Sequence, residues 1–315
     1  MSLEIFIGAG VAPSASNTGA FSSGTQSLLF SGLNAAWKAA DARLFSLETP
    51  LADAASCESG CCDGACAPSA CASGIAALSP TGVSLCTEHI ADCGADGIAA
   101  TRAALKAKQV AFFGAGEDTD AADQPFFFVR HGVRVGVYAV CESESASATE
   151  HKAGANPLDL VNLSDRVREI KSNCDRLIVL YHGGREHFPY PTPIEQKVCR
   201  KIAECGASLV LSQGSHIVGC SERWNNTTIV YGQGSFISDL GNDMAQPGLL
   251  VRYTIGDFGA DTVGFVPIVS AGGGAALADE TKAAEMLEGF QKRTLRVRME
   301  GFVPARFDVR LSAPV

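Results

Sequence analysis

Two apolar, strand-like runs in this chain each hand over to histidines beside acidic, basic and amide groups. The first, Leu177–Tyr181, is followed by His182, Arg185, Glu186 and His187. The second, Ser208–Leu211, is followed by Gln213, Ser215 and His216. Imidazole and carboxylate together suit borderline divalent metals, and imidazole moves protons near neutral pH. A third run, Arg43–Leu47, ends on Glu48. In open α/β sheets, ligands bind just beyond the carboxyl ends of strands. A lone histidine is most often a structural group. Two of them, each past a buried strand and beside charged partners, make a functional site an equal reading.

The elements that would hold these residues alternate between strand and helix. Ile98–Lys108 reads as a helix, Val110–Phe113 and Val133–Val140 as strands. Leu163, Val167, Ile170 and Cys174 fall at helical spacing and form one apolar stripe. Thr192-Pro-Ile-Glu195 combines a capping box with proline at the first helical position. The helix it starts is expected to bury Ile194, Val198 and Ile202, and Gly206 to stop it. From about residue 249 the pattern turns β-rich, broken by one helix near Asp279–Arg293. Leu295, Val297 and Met299 alternate, as do Phe307, Val309 and Leu311, so both read as strands. This tail is expected to form a second sheet against the first.

Composition fits one soluble α/β domain over residues 1–315. Hydrophobic residues make up 46% and charged residues 19%, enough for a large core and against disorder. The net charge is −9, with no basic stripe, which argues against nucleic acid as a partner. No apolar run approaches the roughly 20 residues that span a bilayer. Met1-Ser-Leu-Glu-Ile-Phe-Ile has neither the basic start nor the apolar stretch of a signal peptide, so the chain as written reads as cytoplasmic. Nothing in the sequence fixes an oligomeric state.

The ordered motifs resemble the poly-γ-glutamate capsule biosynthesis (CapA-type, PGA_cap) family, within the calcineurin-like metallophosphoesterase superfamily. That family carries His-Trp-Gly-x-Glu, Pro-x-x-x-Gln, Gly-Ala-Asp, Gly-His-His-Pro-His and Tyr-x-x-Gly-Asn-Phe in this order. Here the matching turns are His182-Gly-Gly-Arg-Glu186, Pro193-Ile-Glu-Gln196, Gly206-Ala-Ser208, Ser212-Gln-Gly-Ser-His216 and Tyr231-Gly-Gln-Gly-Ser-Phe236. Upstream, Leu47-Glu-Thr-Pro-Leu51 is similar to its Asn-Leu-Glu-Thr-Pro turn, and Cys86-Thr-Glu-His89 with Asp92 to its Asn-Asn-His element. Gly114-Ala-Gly116 and Gly154-Ala-Asn156 also match, so the likeness covers residues 3 to about 255.

The resemblance implies a four-layer α/β/β/α sandwich of two stacked mixed sheets, metallophosphoesterase-like, with a two-metal site at one sheet edge. This chain departs from that pattern. The family's strand-one aspartate is Ala9, and in its histidine-rich turn Gln213 and Gly214 replace the first two histidines. Glu88 takes the place of an asparagine, and Ser235 that of another. The remaining metal ligands are Glu48, Glu88, His182 and His216, with His89 as catalytic acid and Arg185, Glu186, His187 and Gln213 on the substrate. These would hold one divalent ion (manganese, iron or zinc) or none. Two nearby glutamates repel unless compensated, so a cation or Arg185 is expected between Glu48 and Glu88. The ligand would be an anionic small molecule or polymer. Family likeness also implies association with the cell envelope.

A cysteine-rich loop at about 55–75 is the remaining singular feature. It carries Cys57, Cys61, Cys62, Cys66 and Cys71 among small residues, at spacings that match no familiar metal signature. Free thiols, disulfides and a second metal site all remain open for it. Three functions therefore stand side by side. The chain is a metal-dependent hydrolase or transferase on an anionic substrate, a non-catalytic binding protein that has lost the two-metal site, or a metal- or redox-responsive protein using the Cys57–Cys71 loop.

Overall fold

The computed structural model describes residues 2–53, 66–238, 246–256, 261–271, 273–299 and 302. The amino-terminal part runs β1 (Leu3–Val11), α1 (Thr18–Ser23), α2 (Gln26–Leu29), β2 (Phe30–Ser31), α3 (Asn34–Ala39), β3 (Ala42–Leu47), α4 (Ala72–Ala77), β4 (Gly82–Ser84), α5 (Gly94–Ala107) and β5 (Phe112–Phe113). The middle runs β6 (Ala115–Gly116), α6 (Thr119–Ala122), β7 (Phe126–Arg130), β8 (Val133–Cys141), β9 (Gly154–Ala155), α7 (Leu163–Ser172), β10 (Arg176–His182), α8 (Pro193–Glu204) and β11 (Leu209–Gln213). It closes with β12 (Val218–Trp224), β13 (Thr227–Gln233), β14 (Ser235–Ile237), β15 (Gln246–Ile255), β16 (Thr262–Ala271), β17 (Gly274–Leu277) and α9 (Glu280–Val297).

Among the described residues these strands form two large mixed sheets. The first has the order β2-β17-β16-β15-β1-β3-β4-β5, with β14 also pairing β1. The second has the order β12-β13-β11-β10-β8-β7. One core cluster takes residues from both sheets, including Ile5, Ile7, Ile178, Leu180, Leu209 and Leu211. A second cluster joins the other face of the second sheet to α7 and α8 through Val179, Tyr181, Val167 and Ile202. Helices therefore cover the outside of each sheet, which is the expected α/β/β/α sandwich. No helix of the described residues is long and apolar enough to cross a membrane.

Strand alternation decides which side chains enter the space between the sheets. Leu177, Val179 and Tyr181 face α7 and α8, so Ile178, Leu180 and His182 face inward. The same alternation turns Gln213 inward with Leu209 and Leu211. Ser212 instead faces α8, where its hydroxyl donates to Glu195 at 2.6 Å. Outside the first sheet, Trp37 anchors an aromatic cluster with Phe6, Phe30, Phe45 and Phe236. Its indole N–H donates to the Leu78 carbonyl at 2.7 Å, satisfying a fully buried donor.

Three expectations are corrected here. The tail strands do not make a separate sheet: β15 pairs antiparallel with β1, so β15, β16 and β17 extend the first sheet. An edge strand with free backbone groups is completed most simply by the next strand available. Leu295 and Val297 lie in α9, whose buried residues Met286, Phe290 and Val297 follow a helical face. Leu295 and Met299 are exposed, so the alternation was a chance reading of helical spacing. In α8, Val198 and Ile202 are buried as expected and only Ile194 departs from the expected face. Ile194 is exposed, while Glu195, Val198, Cys199 and Ile202 are buried. The capping box causes this, because Glu195 folds back onto the Thr192 N–H at 3.0 Å. The Phe307–Leu311 alternation lies outside the described residues.

Candidate ligand and metal site

The carboxyl ends of strands from both sheets meet at one pocket. Glu48 follows β3, and a 3-10 turn over Glu88–Ala91 follows β4. His182 ends β10, and the turn after β11 carries His216. The pocket, of about 570 Å³, is lined by residues including Gly10, Glu48, His89, Glu186, His216 and Ser235. Two backbone bonds tie the histidine turns together: Gly183 N donates to the Gln213 carbonyl and His187 N to the Ser215 carbonyl, both at 2.8 Å. His187 and His216 adopt left-handed φ values of 53° and 56°. For side-chain-bearing residues this conformation is uncommon and gathers at functional turns. Their rings lie 6.4 Å apart, centre to centre.

Glu88 is the hub. One trio brings Glu88, Glu186 and His216 together, with ligand atoms all within 4.8 Å of one another. On its other side, His182 Nε2 lies 3.9 Å from Glu88 Oε1 and 4.0 Å from Glu48 Oε2. Both separations exceed a hydrogen bond, and neither ring nitrogen of the buried His182 finds a partner among the described residues. Glu48 Oε2 and Ser235 Oγ are likewise buried without a hydrogen-bond partner. Burial opposes a charge on His182, but Glu48 and Glu88 outweigh it and raise the pKa. The Glu88 carboxyl is held below its ordinary range, chiefly by His182, with His89 and His216 adding and partial burial opposing. His182, not Arg185, is thus the compensating group between the two glutamates.

His89 reaches the same pocket from the 3-10 turn. Its Nδ1 is 2.9 Å from Asp92 Oδ2, one turn along, and its Nε2 is 3.8 Å from Glu88 Oε1. Asp92 fixes the ring orientation. Its spacing of three from His89 was the available signal for that role. Ser235 was legible only as the replacement of a family asparagine, and Gly10 was not legible as a site residue.

Several expected site residues stand elsewhere. Gln213 is committed to the structure: its amide accepts from Ser46 Oγ at 2.6 Å and donates to Gly8 O at 3.2 Å and Gln233 Oε1 at 2.9 Å. It ties the two sheets together and leaves little for a substrate. Arg185 is exposed and lies over the Phe188 ring at 5.2 Å, in a neighbouring recess with Glu195 and Tyr231. Glu186, expected on the substrate, joins the candidate metal trio instead. Ala9 is buried and offers no ligand atom. Cys57, Cys61 and Cys62 lie outside the described residues. Cys66 lines the pocket and reaches the Ala52 carbonyl at 3.4 Å. Cys71 is buried, which raises its thiol pKa. It lies in a 3-10 turn leading into α4, so the described part of the expected loop is helical from Ser69.

Comparison with known proteins places this geometry. The family model described as bacterial capsule synthesis protein PGA_cap matches residues 5–240. A capsule biosynthesis protein CapA of Bacillus anthracis is 26% identical over 194 residues, 60% of this chain and 47% of that protein. A PGA biosynthesis protein CapA of Bacillus subtilis (strain 168) is 23% identical over 183 residues, 57% of this chain and 48% of that protein. The matched region thus spans about half the length of those relatives. Among solved structures, a Staphylococcus aureus protein named "Putative 5'-Nucleotidase" superposes with a TM-score of 0.54 at 13% identity, covering 93% of this chain and 58% of that one. At that identity the likeness speaks for the fold, which is metallophosphoesterase-like.

Proposed function

The chain belongs to the bacterial capsule synthesis protein PGA_cap family, and from that footing we propose that its pocket binds one divalent cation and acts on an anionic group. Glu88, Glu186 and His216 would hold the ion. The observation that carries this reading is their convergence within 4.8 Å. Two carboxylates and an imidazole suit manganese, iron or zinc, so the residues present fit such an ion. A bound cation would supply charge neutralisation for an anionic ligand and a polarised water.

The chain's own groups do the rest. His89, oriented by Asp92 at 2.9 Å, is aimed into the pocket as a proton donor for a leaving oxygen. His182 holds Glu48 and Glu88 near each other by neutralising part of their mutual repulsion. The turns that carry Glu186, His187 and His216 are fastened to one another through the backbone. The ligand is an anionic small molecule or polymer, and capsule-family membership supports work at the cell envelope.

Titration calorimetry with manganese and zinc tests the site. Wild type should bind one ion, and Glu186→Gln or His216→Ala should weaken binding at least tenfold. Activity on a generic phosphoester should require added metal and fall in His89→Ala. Equal activity in excess chelator would sink the hydrolase reading. One observation favours a second reading, a binding protein without catalysis: Ala9 stands where a strand-one ligand would complete a two-metal set. One bound ion with no turnover would support it.

A further inference from the structure

We infer that the floor of this pocket, around Glu48 and Ser235, is a recognition subsite for a primary ammonium group. It lies in the same pocket as the proposed cation but rests on different residues. Three adjacent strands build it. Gly10 of β1 pairs in register with Ser235 of β14 on one side and with Ser46 of β3 on the other, two residues before Glu48. A methyl group on Gly10 would lie 2.5 Å from Glu48 Oε1, so only glycine leaves room for this carboxylate. Glu48 is 7% exposed and Ser235 3%. Both residues line the pocket, and their buried atoms Glu48 Oε2 and Ser235 Oγ have no hydrogen-bond partner among the described residues.

A buried carboxylate oxygen without a donor is costly, and each such atom calls for a partner. Glu48 Oε2 can only accept, and His182 Nε2 at 4.0 Å is beyond a hydrogen bond, so a donor is missing; the Ser235 hydroxyl can accept from the same group. An ammonium fits this demand, because it presents three N–H groups and no acceptor. A metal fits it less well, since one carboxylate oxygen and a serine hydroxyl are a poor donor set. The described pocket lining carries the carboxylates Glu48, Asp92 and Glu186 beside His89, His187 and His216, with no lysine or arginine, which favours a positive group electrostatically. Ala12, Pro13, Ala15 and Ala67 in the same pocket lining offer carbon contacts to the methylenes that carry an amine.

The test uses the whole chain in excess chelator, so it is independent of the metal. Calorimetry would be run with butylamine, putrescine and alanine, with 1-butanol and glutarate as uncharged and anionic controls. Saturable binding of an amine, weakened at least tenfold in Glu48→Gln and several-fold in Ser235→Ala, is the expected result. Which amine binds best tells the source: butylamine or putrescine for an alkylamine, alanine for an amino acid. Glu186→Gln should weaken manganese binding while costing amine binding less than Glu48→Gln does. Thermal unfolding of each variant checks that Glu48→Gln and Ser235→Ala remain folded. No saturable amine binding, equal binding in a folded Glu48→Gln, or preference for glutarate overturns the subsite while leaving the metal reading to its own titration.

Discussion

Replacing Glu195 by glutamine should change how stability depends on pH, by an amount the structure sets. Glu195 is 4% exposed at the start of α8. Its carboxylate accepts from the Ser212 hydroxyl at 2.6 Å and from the Thr192 N–H at 3.0 Å. Burial pushes its carboxyl up to about 7 from the usual 4.5; the Ser212 and Thr192 bonds oppose this and Glu142 adds to it. The folded protein therefore holds this proton more tightly than the unfolded chain. The resulting stabilisation is complete below about pH 4.5 and is lost as pH rises through about 7. At about 1.4 kcal/mol per pKa unit, the swing is about 3 kcal/mol. Glutamine cannot ionise, yet its carbonyl can still accept from Thr192 and its amide can donate to Ser212. Urea unfolding of both proteins from pH 5 to pH 8 measures the difference directly, because other titrating groups are common to the pair. Glu195→Gln should gain about 2–3 kcal/mol relative to wild type across that range. A difference that does not vary with pH would refute a neutral Glu195 in the folded protein.

Other consequences follow from the same packing. Gln213→Ala should cost about 2–4 kcal/mol in chemical unfolding, because it strands Ser46, Gly8 and Gln233 groups inside the sandwich; unchanged stability with altered ligand binding would restore it to the substrate. Gly219→Ala should destabilise by more than about 3 kcal/mol or prevent soluble expression, since the new Cβ would sit 1.8 Å from the Tyr231 carbonyl oxygen. Arg200→Ala should cost about 3 kcal/mol in the same assay, because buried Glu222 loses its two-bond partner at 3.0 and 2.7 Å. Ile194→Ser should shift stability by no more than about 0.5 kcal/mol, as the side chain is exposed.

The sequence by itself determined the strands, the helices between them, and the end of the sheet where chemistry would gather. Apolar runs such as Leu177–Tyr181 and the stripe Leu163, Val167, Ile170 are one-dimensional signals, because burial repeats with the period of the element. The capping box at Thr192 was equally local, and it holds in the structure. Motif order carried the family and the sandwich. What the tertiary structure alone decided are the partnerships. Glu186 and Gln213 both read as substrate contacts in the sequence, yet one joins Glu88 and His216 and the other fastens the sheets. That choice depends on strand alternation and on the opposing sheet, which lies far away in sequence. The same holds for His182 between Glu48 and Glu88, and for Ser235 beside Gly10. The tail strands joined the first sheet because β1 offered an open edge, a fact no local pattern records. Charge compensation and unpartnered buried atoms are properties of groups brought together in space, so they become visible only once the chain is folded.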